Sequence, residues 1–277
     1  MLIAQLHERR LTLDEHTARE LCSQAAERLG ASAVYRKVFP KDRSTAPAEL
    51  ERLHTEPTPW IGTASEAEFA VLEDGLRFFV RPYDGYSTGL FLEHRANRQR
   101  LRDLAAGRRV LNAFAHTCGF TVAAGVGGAT MTVSVDVSRK TLEWGKRNLT
   151  ANGLPLDDHK FICSDIFDYY RRARRQGLRF DLIVLDPPTF SRAKKPRRVF
   201  SLPEDLDRLL EGAVELLDPG GYLLLCTNHR ATSVKRLEQG VRAAAGGKRC
   251  EVIARPKLPD GFHGDPSYAK SILVRTG

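Results

Sequence analysis

Seven short apolar runs mark the later part of the chain: RVLNAF (109–114), MTVSV (131–135), KFIC (160–163), DLIVLD (181–186), GYLLLC (221–226), CEVIAR (250–255) and KSILVR (270–275). Between them lie stretches with helical spacing. Leu206, Leu209, Leu210, Ala213, Val214 and Leu217 recur about every 3.6 residues, and Pro219-Gly220-Gly221 is expected to end that helix. Strands that are apolar on both faces and alternate with helices predict an α/β fold around a mostly parallel sheet. The last two runs are joined by a segment with Pro256, Pro259, Gly261 and Gly264 and no helical period, so they are expected to pair antiparallel.

The earlier part reads differently. Thr12 is the expected N-cap of an amphipathic helix, with Glu15 three residues on and Ala18, Leu21, Cys22, Ala25, Ala26 and Leu29 on one face before Gly30. ASAVYRKVFP predicts a short strand, and the Pro-, Ser- and charge-rich KDRSTAPAELERLHTEPTPWIG predicts a linker. EFAVLEDG and LRFFVRP flank Asp74-Gly75 and predict a hairpin. The organisation expected is an N-terminal helix (1–30), a small β-rich domain with linker (31–94) and a main domain (95–277).

Composition narrows the class. The 277 residues are 42% hydrophobic and 28% charged, with no apolar run of membrane-spanning length and no signal-peptide pattern at MLIAQLHERR, so a cytoplasmic, non-membrane protein is expected. Five scattered cysteines offer neither a disulfide framework nor a CxxC zinc pattern, and His94 and His116 lack a carboxylate or Cys at metal spacing, so no metal is expected. A formal charge of +9 favours a polyanionic partner such as nucleic acid.

Candidate chemistry sits at the strand ends. In an open α/β sheet, ligands bind beyond the carboxyl ends of the strands, which selects Asp136, Asp165 and Asp186 and sets aside Asp181, at the opposite edge. An acid after the second strand can accept ribose hydroxyls, and one after the third can accept the adenine amine. The alternative is that Asp136 and Asp165 cap the following helices. The first strand-to-helix turn lacks spaced glycines, which disfavours a dinucleotide, while Thr117, Cys118 and Gly119 suit a nucleoside cofactor with an amino-acid tail. In DPPTF (186–190), two prolines fix a rigid turn that leaves the Asp186 side chain and the Pro187 carbonyl free to accept from an amino group. A planar base can stack on Phe190 beside Pro188.

With GYSTGLFLEHRANR, VLNAFAHTCGF, VSVDVSRKTLEWGKRNL, FDLIVLDPPTFS and GGYLLLCTNHR in this order, the chain from about Phe69 to its end resembles the bacterial 23S ribosomal RNA large-subunit methyltransferases, which make 5-methylcytosine or 7-methylguanine. The resemblance implies a Rossmann-like class I methyltransferase sheet of seven strands, S-adenosylmethionine as methyl donor, and ribosomal RNA or a ribosomal particle as partner. Carried over by motif, Arg95, Asn112, Phe114, Thr117, Asp136, Ser138, Asp165, Ile166 and Asp186 line the cofactor site. Cys118 stands where these families commonly have Gly.

Methylating carbon 5 of cytosine needs a thiolate that adds at carbon 6. In the cytosine branch that Cys follows the fifth strand; the equivalent position here is Asn228, within Thr227-Asn228-His229-Arg230, which looks like the guanine nitrogen 7 branch. Cys226, two residues earlier, keeps the cytosine alternative open; as a small buried strand residue it needs no chemistry. Asp186, the Pro187 carbonyl and Asn228 are therefore expected to recognise and position the base, with Pro188, Phe190 and Arg230 beside them. Lys194, Lys195, Arg197 and Arg198 are expected to form a mobile basic loop that holds RNA phosphates. The arginines at 171, 172, 174, 175 and 179 read as a solvated helix face. Two further classes fit the same features, a non-catalytic RNA-binding module with this fold and a small-molecule methyltransferase.

Overall fold

The computed structural model describes residues 1–7, 12–40, 47–64, 66–85, 87–194, 197–262, 265 and 268–277. They divide into two compact units, one of Met1–Val71 with Phe79–Phe91 and a larger one of Leu72–Phe78 with Leu92–Gly277.

In the smaller unit, β1 (Leu2–His7) runs parallel to β2 (Ala33–Phe39), and α1 (Glu15–Arg28) makes the crossover. The strand at the start of the chain was not legible, because LIAQLH carries no turn signal and no clean alternation. The cap of α1 is Asp14, which accepts from the Thr17 N–H at 2.9 Å, and not Thr12. The described residues of the expected linker include α2 (Pro47–His54) and β3 (Ile61–Gly62), the latter antiparallel to β2. Lys37 is buried and donates from Nζ to the Gly85 carbonyl at 2.6 Å. Burial pushes its pKa down to about 8, against the pull of Asp84. The expected hairpin is present as β4 (Phe69–Glu73) and β5 (Leu76–Val80), with Asp74 and Gly75 both at positive φ, 50° and 82°, as a tight two-residue turn requires.

From Leu92 the larger unit runs through a 3-10 turn (Leu92–His94), α3 (Arg95–Leu104), β6 (Arg109–Ala113), α4 (Gly119–Val126), β7 (Met131–Asp136), α5 (Arg139–Ala151), β8 (His159–Cys163), α6 (Ile166–Arg175) and β9 (Phe180–Leu185). It ends with β10 (Phe190–Lys194), β11 (Arg197–Ser201), α7 (Leu202–Leu216), β12 (Leu217–Thr227), α8 (Val234–Ala244), β13 (Cys250–Ala254) and β14 (Lys270–Thr276). Seven of these strands form one sheet in the order β13-β14-β12-β9-β6-β7-β8. Strands β12, β9, β6, β7 and β8 are parallel, and β14 is antiparallel to both of its neighbours, as the loop composition between the last two runs suggested. Helix α7 stops at Leu216, and Pro219-Gly220-Gly221 falls in the irregular start of β12, where pairing with β9 shifts between Leu217 and Tyr222.

Each central strand is apolar on both faces because each face is covered. Ile183 and Leu185 pack with residues of α6, α7 and α8, while Leu182, Val184, Leu224 and Cys226 pack with Leu101 of α3, Ala105 at its C-cap, and Phe120 and Ala124 of α4. The strand order reverses at β6: the chain moves out to β7 and β8, then returns to β9 on the other side. That reversal opens a crevice beyond the carboxyl ends of β6 and β9. At the other end of the sheet, Asp181 binds Arg109 through the backbone N–H at 2.8 Å and the guanidinium at 3.0 Å, which holds its carboxyl below the usual range.

Candidate active site

The backbone of the turn from β6 into α4 is contorted. Phe114, His116 and Cys118 have φ of 59°, 48° and 61°, a left-handed conformation costly for residues with a Cβ. Neighbours hold it there. The His116 N–H donates to Asp136 Oδ2 at 2.8 Å, the Asn148 amide donates to the Thr117 carbonyl at 3.0 Å, and the Cys118 N–H donates to the Ala115 carbonyl at 2.7 Å. Helix α5 approaches so closely that a Cβ on Gly145 would lie 2.3 Å from Cys118 Sγ. Cys118 is fully buried, which pushes its thiol up to about 12. A left-handed φ at this residue gives the physical reason why glycine suits the position.

Asn112, near the end of β6, is buried; its Nδ2 donates to Thr121 Oγ1 at 2.9 Å while its Oδ1 finds no partner among the described residues. Asp136 ends β7, and its second oxygen, Oδ1, accepts the Ser138 N–H at 2.8 Å. Ser138, not Asp136, caps α5, accepting from the Thr141 N–H at 3.3 Å. Asp165 does cap its helix: Oδ1 accepts from the N–H groups of Phe167 at 2.9 Å and Asp168 at 3.3 Å, with Ile166 buried beside it. Parallel pairing brings Asp136, Asp165 and Asp186 to one edge, since β7, β8 and β9 all end there.

Beyond β9, Asp186 meets a partner 92 residues away in sequence, His94, with Nε2 to Oδ2 at 3.0 Å. Burial opposes charge on that imidazole, yet the adjacent carboxylate outweighs it and holds the His94 pKa well above the ordinary range. The Pro187 ring is buried, Phe190 is about half exposed at 51%, and the Phe114 ring lies 5.3 Å from that of Phe200. Thr189 Oγ1 donates to Asn228 Oδ1 at 3.2 Å, joining the DPPTF turn to the exposed residues after β12. Burial lowers the His116 pKa, against the pull of Asp136 and Asp186.

Two expected site residues are engaged elsewhere. Arg95 binds Asp74 at the hairpin turn, 3.0 Å from Nε to Oδ2, and Arg230 faces Asp265 at 3.3 Å. Lys194, Arg197 and Arg198 lie on the antiparallel β10–β11 ribbon, which corrects the expected loop; Lys195 lies outside the described residues. Cys226 is fully buried on the α3 face of the sheet, and burial pushes its thiol up. Sequence reasoning missed the pairing of His94 with Asp186. His94 and Asn97 lie inside the FLEHRANR motif, but only the fold shows what they face.

The family model for S-adenosylmethionine-dependent methyltransferases matches residues 49–275, and the chain belongs to that family. It is 42% identical over 164 residues to a ribosomal RNA large subunit methyltransferase K of Neisseria meningitidis, covering 59% of this chain and 46% of that protein. Over 246 residues it is 37% identical to a large subunit methyltransferase K/L of Methylococcus capsulatus, covering 88% of this chain and 32% of that one. The chain thus spans less than half the length of these two relatives. A crystal structure, complexed with SAH, of a protein provisionally assigned as a methyltransferase superposes with a TM-score of 0.82 at 28% identity, covering 94% of this chain and 66% of that chain. Among the described residues, no helix is long and apolar enough to cross a membrane, and no group of three or more His, Cys, Asp and Glu is placed to hold a metal.

Proposed function

We propose that this chain transfers a methyl group from S-adenosylmethionine to nitrogen 7 of a guanine in ribosomal RNA. The single observation that carries the choice of base is the end of β12: Asn228 is exposed there and tied to the DPPTF turn through Thr189, while the strand's own thiol, Cys226, is fully buried. The relatives named above are described as ribosomal RNA methyltransferases, which supports the polymer.

The residues present fit the cofactor. Asn112 Oδ1 is a buried acceptor without a partner among the described residues, and the left-handed turn at Phe114–Cys118 follows the carboxyl end of β6, where an amino-acid tail is expected. Asp136 keeps lone pairs for ribose hydroxyls beyond the two backbone N–H groups it accepts, and Asp165 with Ile166 frames the adenine side. Thr117 and Ser138 complete that wall; Arg95 joins it only by giving up Asp74. When bound, the cofactor supplies an electrophilic methyl group.

The acceptor already carries a lone pair, so no general base is required and the work is alignment. Asp186 and the Pro187 carbonyl accept from the base edge, Asn228 orients it, and Phe190 offers a stacking face beside Pro188. The carboxylate of Asp186 also offsets the positive charge that develops on the base. Lys194, Lys195, Arg197 and Arg198 are the expected seat of flanking phosphates, with ribosomal RNA or a ribosomal particle as the partner and the cytoplasm as the compartment.

The test is methylation of ribosomal RNA from cells lacking this protein, followed by nucleoside mass spectrometry. Label in 7-methylguanosine is expected; label in 5-methylcytidine alone would overturn the choice of base, and no label would overturn the choice of polymer.

A further inference from the structure

Asp186 makes one hydrogen-bonded ion pair among the described residues, from Oδ2 to His94, and its side chain keeps 21% exposure. The imidazole behind it is 6% exposed and is gripped on its far side. Asn97 Nδ2 lies 3.1 Å from His94 Nδ1, 2.8 Å from Ser271 Oγ and 3.5 Å from Cys226 Sγ, and Phe120 packs on the ring with centroids 5.4 Å apart. Residues of α3, α4, β12 and β14 thus fix the orientation of a histidine whose outward nitrogen points at a single carboxylate.

The Asn97 amide suits either charge state of this ring. As placed, Nδ2 donates to Nδ1 of a neutral imidazole. Turned over, Oδ1, which as placed has no partner among the described residues, accepts from Nδ1–H of an imidazolium and from the Ser271 hydroxyl. In both states Nε2–H remains the donor to Asp186. The titratable groups facing the ring are Asp186 and Cys226, and Cys226 is held neutral by burial.

We propose that His94 is a positioning residue for recognition of the base: by occupying Asp186 Oδ2, and being itself fixed through Asn97 and Ser271, it leaves Oδ1 aimed at a donor group on the base edge. This rests on the assignment of Asp186 to the base. A carboxylate free to rotate would offer either oxygen in many directions, so the fixed orientation favours bases that bring an N–H to one place. Asp136 serves the cofactor without such a clamp, since backbone N–H groups orient both of its oxygens. The acid that meets the exchangeable partner is the one with a buried side chain behind it.

The test compares His94→Gln, whose amide can place a donor near the Nε2 position, with His94→Phe, which fills the space without a donor. Cofactor affinity by calorimetry, steady-state methylation of RNA and thermal melting are measured for each. Loss of one hydrogen bond to a charged group predicts that His94→Phe lowers kcat/KM for RNA by about 10- to 100-fold with cofactor affinity unchanged, and that His94→Gln recovers most of it.

Equal losses in both variants, or full activity of a folded His94→Phe, would overturn the proposal. A native protein that methylates no RNA would instead overturn the function it rests on. Imidazole NMR then decides the pairing alone: Asp186→Asn should move the His94 titration downward, and a titration that does not move would remove the clamp.

Discussion

Asp136 Oδ2 accepts the backbone N–H of His116 at 2.8 Å, so the acid that ends β7 also holds the left-handed turn that follows β6. One side chain therefore orients two walls of the crevice. Asp136→Ala strands the N–H groups of His116 and Ser138 and removes the expected ribose acceptor. We expect cofactor affinity to weaken by about 100-fold and stability to fall by about 1–3 kcal/mol, with the fold retained. Calorimetry and a denaturant titration check both numbers, and native affinity would remove Asp136 from the site.

Gly145 and Cys118 should be coupled. Gly145→Ala puts a methyl group into the space of Cys118 Sγ and should cost about 1–3 kcal/mol. Cys118→Gly alone should be near neutral, because relief at φ 61° offsets the missing thiol packing. Gly145→Ala should then be milder by about 1 kcal/mol in the Cys118→Gly background. Additive losses in denaturant titrations would show that the thiol is not what excludes a side chain at Gly145.

Replacing Lys194, Lys195, Arg197 and Arg198 with Gln should weaken RNA binding and flatten its salt dependence, by about one unit of slope for each phosphate that is no longer neutralised. Filter binding across a salt series measures this. An unchanged slope would leave the ribbon as a solvated face.

Cys226 separates the two base chemistries. With the thiol fully buried, Cys226→Ala should cost about 1 kcal/mol of stability and leave methyl transfer largely intact. A folded variant with activity reduced by several orders of magnitude would mean that the thiol adds to a cytosine ring, against the guanine assignment.

The strands of the larger sheet were legible because its central members are buried on both faces, and continuous apolar runs between helical periods leave few alternatives. The order of acids at the strand ends followed from the same pattern, since parallel strands deliver their carboxyl ends to one edge. Short, half-exposed elements were not legible: β1 and α2 carry weak periodicity, and Asp14 displaced Thr12 as a cap because only local geometry decides which oxygen meets an N–H. The basic run after DPPTF gave its charge but not its ribbon, since pairing Phe190 with Ser201 is a matter of register. His94 and Asp186 are 92 residues apart, with no periodicity or spacing to connect them. Sequence patterns record what each residue does for its own helix or strand. Which side chain stands behind Asp186 depends on α3 packing across β9 and β12, and that packing exists only once the sheet has formed.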